Sequence, residues 1–306
     1  MLTMILSVAK LMILLVGLVG VPSEPLLQPV LQPESSPTTP ATPVAEVSPS
    51  PAANTPTTPA EIATADDLLR ALETAGQDTR LLSATIRYVK EFAIQGDTQR
   101  RDGRLVFASE PGTDDQPPTR RFGITFDRYE VGGRVEDRDL DYLEQYIFDG
   151  EWLAEIRPLE KQFVRRQVMP PGQKWDPLRL GEGPFPIPIQ QKREEILSRF
   201  EAELLDGQEG VVERRLLGVT GKCYQLKLTP RPDAGESDLR EIRVWYQKDT
   251  LLPRMAKTTT KADDTSLVLL KDLKLNAEAE VSETALSTHL PADRTGWDIT
   301  NIPYRE

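Results

Sequence analysis

Side chains able to do covalent or metal chemistry are few and scattered. The 306-residue chain holds one cysteine, Cys223, and one histidine, His289. Nucleophilic catalysis needs a hydroxyl or thiol beside a base and a third group to orient that base. No Ser/His/Asp spacing of that kind surrounds His289, which lies beside Leu290-Pro291 near the C-terminus. Cys223 falls in the alternating run KCYQLKL, a sheet position, and a lone cysteine excludes an intrachain disulfide and a multi-cysteine metal cluster. Glu136, Asp137, Asp139 and Asp141 crowd the stretch EDRDLDYLE (136–144). It lacks the glycine turn and the terminal glutamate spacing of a calcium loop, so it reads as a solvated loop. No phosphate-cradling glycine loop is present. The expectation is therefore a protein that is not an enzyme, with no catalytic residue, no metal ligand and no cofactor.

What remains is the chemistry of apolar burial, and one stretch concentrates it. Tyr146 to Val168, YIFDGEWLAEIRPLEKQFVRRQV, places three strand-like runs around two turn signals. Asp149-Gly150 is a hairpin signal, because both central positions of a type I′ turn need φ > 0. Arg157 to Lys161 makes a second reversal, with Pro158 fixing φ and removing a ladder donor. The result is an antiparallel meander with apolar residues on both faces. Such a sheet needs cover on one side and something else on the other; lipid is the expected occupant.

Composition narrows the partners. The formal net charge is -11, from 48 acidic and 37 basic residues. An acidic chain is repelled by phosphate backbones, so nucleic acid is not a partner, and general adhesion to anionic membranes is disfavoured. Residues 1–23 read as an export signal: Lys10 precedes the apolar run LMILLVGLVGV, and Val21 and Ser23 suit a cleavage site. Apolar residues also precede Lys10, so 1–21 retained as an inner-membrane anchor is the second reading. Residues 24–60 are rich in Pro, Thr and Ser, without Lys or Arg, a composition that cannot bury enough apolar surface to order itself. The folded domain is expected over 61–306.

Its elements follow from period and punctuation. Thr64 is an N-cap, Asp66 and Asp67 suit the first turn of a helix carrying Leu68, Leu69 and Leu72 on one face, and Gly76 stops it. Strands are expected at 84–94, 104–108, 121–126, around Tyr224 to Leu228 and Ile242 to Tyr246, and at 253–261 and 266–276. The run LVLL (267–270) is apolar on both faces. Gln190 to Leu205 reads as an amphipathic helix, and the tail from Leu290 to Glu306 as irregular. Short turns between strands favour antiparallel order.

With these elements in place the chain resembles the LolA/LolB-like family of envelope lipoprotein carriers. The stretches that carry the resemblance are FDGEWLAEIRPLEKQFVRRQV, YQLKLTPRP, REIRVWYQKDTLLPRMAK and LVLLKDLKLN, within roughly residues 64–300. The resemblance implies an α+β fold, a strongly curved antiparallel sheet forming an incomplete barrel covered by helices, with a hydrophobic cavity that accepts acyl chains. Phe107, Phe126, Phe148 and Trp152 are its candidate lining residues. It further implies a non-catalytic protein of the bacterial periplasm or cell envelope, a monomer, binding an acylated lipid or lipoprotein and engaging an envelope membrane protein. The sequence departs from the family in GRLVFASEP, where Glu110 stands before Pro111 at the place of a carrier arginine that helps hold the lid. The alternative is a tethered envelope scaffold or sensor that uses the same fold to bind another protein.

Overall fold

A computed structural model describes residues 62–112, 119–168, 180, 189, 192–235, 237–288, 290 and 292–304. The export signal, the whole 24–60 tract and His289 lie outside these residues. Helix α1, Ala65–Gly76, starts and stops where capping chemistry places it. The Thr64 hydroxyl accepts from Asp67 N, and the Asp67 carboxylate accepts from Thr64 N at 3.0 Å, so two backbone donors at the helix start are satisfied reciprocally. That carboxyl is held below its ordinary value, first by the Thr64 hydroxyl.

Strands β1 (Leu81–Phe92), β2 (Asp97–Glu110), β3 (Thr119–Val131) and the short β4 (Arg134–Asp137) come next. The meander forms β5 (Glu144–Phe148), β6 (Trp152–Arg157) and β7 (Gln162–Gln167). Helix α2 (Arg193–Arg199) leads into β8 (Phe200–Asp206), and helix α3 (Arg214–Thr220) into β9 (Cys223–Pro230). The chain then makes β10 (Leu239–Gln247), β11 (Pro253–Thr260), β12 (Thr265–Leu275) and β13 (Asp298–Ile302). All belong to one sheet in the order β13-β7-β6-β5-β3-β2-β1-β12-β11-β10-β9-β8, with β4 paired to β3. The terminal strands β8 and β13 do not pair with each other, so the sheet is open.

Register fixes the two faces, since alternate residues point oppositely. Leu82 stands opposite Phe107, Phe107 opposite Phe122, and Phe122 opposite Phe148, so these share the front face. Across the other half, Ile242, Val244 and Tyr246 lie on that same face beneath Leu68 and Leu69 of α1 and Ile196 of α2. The back face carries its own apolar clusters. Val106 and Ala108 pack under Leu286; Ile147, Ala154, Ile156 and Phe163 pack with Leu290, Trp297 and Ile299; Trp245 and Met255 pack with Leu216 of α3. The second apolar face that the sequence displays is therefore covered by the protein's own C-terminal segment and by α3. Gly123 makes room for this strap: a Cβ there would lie 2.0 Å from the Ala285 carbonyl oxygen.

Four local expectations are corrected. The helix expected over 190–205 is helical only at Arg193–Arg199, and Phe200–Asp206 forms edge strand β8 against β9. Phe200, Ala202 and Leu204 fit a period of two as well as a helical stripe, and ladder pairing decides between them. The irregular tail contains β13, which pairs with β7 in parallel, so the sheet is mostly rather than wholly antiparallel. The hairpin at Asp149-Gly150 is present, but only Gly150 has positive φ. Asp149 closes the turn with its side chain, which accepts from Glu151 N at 3.1 Å and Trp152 N at 2.8 Å, an Asx turn in place of type I′. The acidic run contributes Glu136 and Asp137 to β4 and ends in a buried Glu144 on β5.

Candidate functional site

An apolar pocket of about 250 Å³ opens where the C-terminal end of α1 meets the strand ends beneath it. Leu82, Ile189, Tyr246 and Pro253 form its buried floor. Leu72, Leu251, Leu252 and Leu275 make half-buried walls, and Ala75 and Thr250 stand exposed at the rim. The pocket lies on the seam between the two front-face clusters: Leu82, Ile189 and Leu275 belong to one, Leu72, Tyr246 and Leu251 to the other. The turn between β10 and β11 holds Leu251 at φ 57, a left-handed position uncommon for a leucine, and presents that side chain to the opening. No charged side chain lines the pocket among the described residues.

Among the described residues two buried polar side chains line the pocket, Thr79 and Tyr246. Tyr246 is 2 % exposed, and its hydroxyl makes no hydrogen bond among the described residues. Burial pushes that hydroxyl above its ordinary value, so it stays protonated and able to donate. Thr250, at the rim, turns its hydroxyl to the backbone, accepting from Leu252 N at 3.3 Å.

The four aromatics singled out from the sequence are divided by the fold. Phe107, Phe126 and Phe148 are each 0 % exposed and share the front-face cluster that reaches the pocket at Leu82. Phe107 stands directly opposite Leu82 on the neighbouring strand. Trp152 is on the other side of the sheet: Phe148 pairs with Leu153, so Trp152, one residue earlier, faces back with Ala154 and Ile156. There the Arg165 guanidinium covers its ring at 4.3 Å. None of the four lines the pocket itself. Leu72, Tyr246 and Leu275 do, and sequence periodicity marked them only as ordinary apolar positions.

A second feature of the front face is polar. At the far end of the aromatic cluster Glu144, 4 % exposed, accepts from the hydroxyl of Tyr129, from Tyr146 at 2.6 Å and from Arg101 at 3.1 Å. The Arg101 and Arg138 guanidinium groups lie over the Tyr129 ring at 5.5 and 3.8 Å. Tyr146 also reaches Glu155 at 3.0 Å, and Glu155 pairs with Arg157. Burial works to raise the Glu144 carboxyl, but the Arg101 charge and the two hydroxyls outweigh it and hold it below its ordinary value. This network ties four strands together, with Arg101, Tyr129 and Tyr146 turned inward on the Glu144 carboxylate.

Cys223 lies on the back face, its thiol donating to Val219 O at 3.3 Å. Burial pushes the thiol up, away from the thiolate that a nucleophile requires. No group of three or more His, Cys, Asp or Glu that could hold a metal occurs among the described residues. No described helix is long and apolar enough to cross a membrane.

No family model and no curated protein matches the chain. Solved structures do. An uncharacterised conserved protein from Thermus thermophilus is 12 % identical with a TM-score of 0.40, over 78 % of this chain and 99 % of that one. A LolA superfamily protein from Nitrosomonas europaea is 11 % identical with a TM-score of 0.27, over 73 % and 97 %. The MucA/MucB complex of Pseudomonas aeruginosa is matched at 14 % identity and a TM-score of 0.37, over 73 % of this chain and 60 % of that one.

Proposed function

We propose that this chain is an exported, non-catalytic envelope protein whose pocket beneath α1 takes one acyl chain of a lipid or lipoprotein. The carrying observation is the pocket: about 250 Å³, walled by leucines, with no charge among its described lining residues. It lies just under the roughly 300–1,000 Å³ of pockets for drug-sized ligands. At about 30 Å³ per water-sized group it holds roughly eight such groups, enough for the end of a single chain. Each buried methylene contributes about 0.8 kcal/mol. Eight would give roughly 6 kcal/mol before ordering costs, which corresponds to weak, reversible binding. A carrier needs that weakness in order to release its cargo. A longer chain would extend from Leu82 toward Phe107 and Phe148, at the cost of displacing packed rings.

Displacement of a fluorescent fatty-acyl probe from the full-length protein tests this reading. Ala75→Trp sets a bulky ring at the rim and should weaken probe binding at least about tenfold with the fold intact. Trp152→Ala, on the other face, should leave binding within about twofold. A probe that binds no better than to an unrelated protein overturns the reading and leaves the tethered scaffold. Unchanged binding by Ala75→Trp removes the pocket as the site.

A further inference from the structure

The floor of the pocket contains one hydrogen-bonding group with no protein partner among the described residues, and its surroundings select what can meet it. Tyr246 projects from β10 on the same face as Ile242 and Val244, under α1. The residue is only 2 % exposed, and the pocket it lines is the open space beside it. A buried tyrosine hydroxyl ordinarily finds a partner, and a site that leaves one unmet discriminates for a ligand that supplies it.

The charge environment limits that ligand. The last turn of α1, Ala75 and Gly76, lines the same pocket and carries no basic residue. A helix C-terminus presents carbonyl oxygens and the negative end of the dipole, which disfavours an anion. No lysine or arginine lines the pocket among the described residues. An ionised carboxylate placed there would be desolvated with one neutral donor and no counter-charge, which is strongly unfavourable. An ester or amide carbonyl, or an alcohol, meets the hydroxyl without that penalty.

We infer that Tyr246 donates to a neutral oxygen of the bound chain, so that the pocket selects esterified or amidated acyl chains and fatty alcohols over free fatty-acid anions. This rests on the acyl-chain reading above and specifies the head that accompanies the chain.

The test compares methyl decanoate, sodium decanoate and decane at pH 8 on the full-length protein, wild type and Tyr246→Phe, by competition against the fluorescent acyl probe. Wild type should hold the ester at least about tenfold tighter than the carboxylate. Tyr246→Phe should lose about five- to tenfold for the ester and nothing for decane, the loss expected for one neutral hydrogen bond. Thermal unfolding of the variant should match wild type, since the substitution removes a single atom. Equal or tighter binding of the carboxylate, or an ester affinity unchanged in Tyr246→Phe, overturns the inference while decane binding keeps the acyl-chain reading. If ester, acid and decane all fail to compete, both fall. If the variant does not fold, the ester-to-carboxylate ratio in wild type decides alone.

Discussion

Glu144 sits at the end of an acidic run, yet its carboxylate is buried under two tyrosines and an arginine. In the unfolded chain it titrates near the ordinary 4.5, and in the fold it is held lower. The stabilisation this supplies is complete above about pH 4.5 and is lost as pH falls through the lower folded value. Glu144→Gln removes the charge and leaves Arg101 buried against an amide, so at pH 7 it should cost about 3 kcal/mol. Urea unfolding should show that gap at pH 7 and a gap that narrows as pH falls below about 4.5, as the lower folded value is approached. A gap independent of pH would mean that packing, not charge, makes the network. Gly123 is a steric counterpart. With Ala285 O 2.0 Å from the place of a Cβ, Gly123→Ala should destabilise by about 1–3 kcal/mol, as the strap must lift or the strand bend. Neither position was legible in the sequence. The acid run looked solvated and the glycine had no turn around it, because both are defined by residues far away along the chain.

At the scale of elements, local chemistry carried further. The Thr64 cap, the run of α1 to Gly76 and the three strands of the meander all lie where residue types place them. Thr64→Ala should cost about 1 kcal/mol of stability by loss of the reciprocal cap. The hairpin at Asp149-Gly150 survives its change of turn type, since Gly150 keeps φ 107 and a Cβ there would touch Thr119 Cγ2 at 3.0 Å. Gly150→Val should lower stability by about 1–3 kcal/mol, read from the denaturant midpoint. An unchanged midpoint would show that the turn tolerates a branched side chain at positive φ. Where local signals were ambiguous the sheet decided. Phe200 to Asp206 has helix-forming residues, but β9 offers its free edge, and tertiary pairing overrides propensity. The same holds for Asp298–Ile302, a polar stretch made into a strand by the parallel ladder from β7.

For the whole molecule, the C-terminal segment shields the second apolar face of the sheet over β2 and the meander, as α3 does over β9 to β11. Leu286, Leu290, Trp297 and Ile299 cover the back of β2, β3 and the meander. Full burial of a side chain this size contributes about 1.5–3 kcal/mol; Leu286 is fully buried and Leu290, Trp297 and Ile299 are half-buried, so together they supply a sizeable part of the roughly 5–15 kcal/mol stability of a typical domain. A chain ending after Glu280 should therefore bind a naphthalene sulfonate dye strongly and lose its cooperative thermal transition. A sharp transition with no dye binding would show that the strap is dispensable. The sequence by itself determined the strand runs, the helix cap, the turn positions, the acidic balance and the surplus of apolar residues on both faces. These are properties of neighbours in the chain, set by periods of 2 and 3.6 and by residue-specific φ preferences. The tertiary structure alone decided what covers the second face, that Trp152 turns away from Phe148, and that an apolar pocket opens beneath α1. Each depends on groups brought together from distant parts of the chain, as when Asn276 Oδ1 accepts from Arg80 N at 2.8 Å beside that pocket's Leu275 wall. No local pattern encodes such a meeting, because its energy appears only once both segments are already in place.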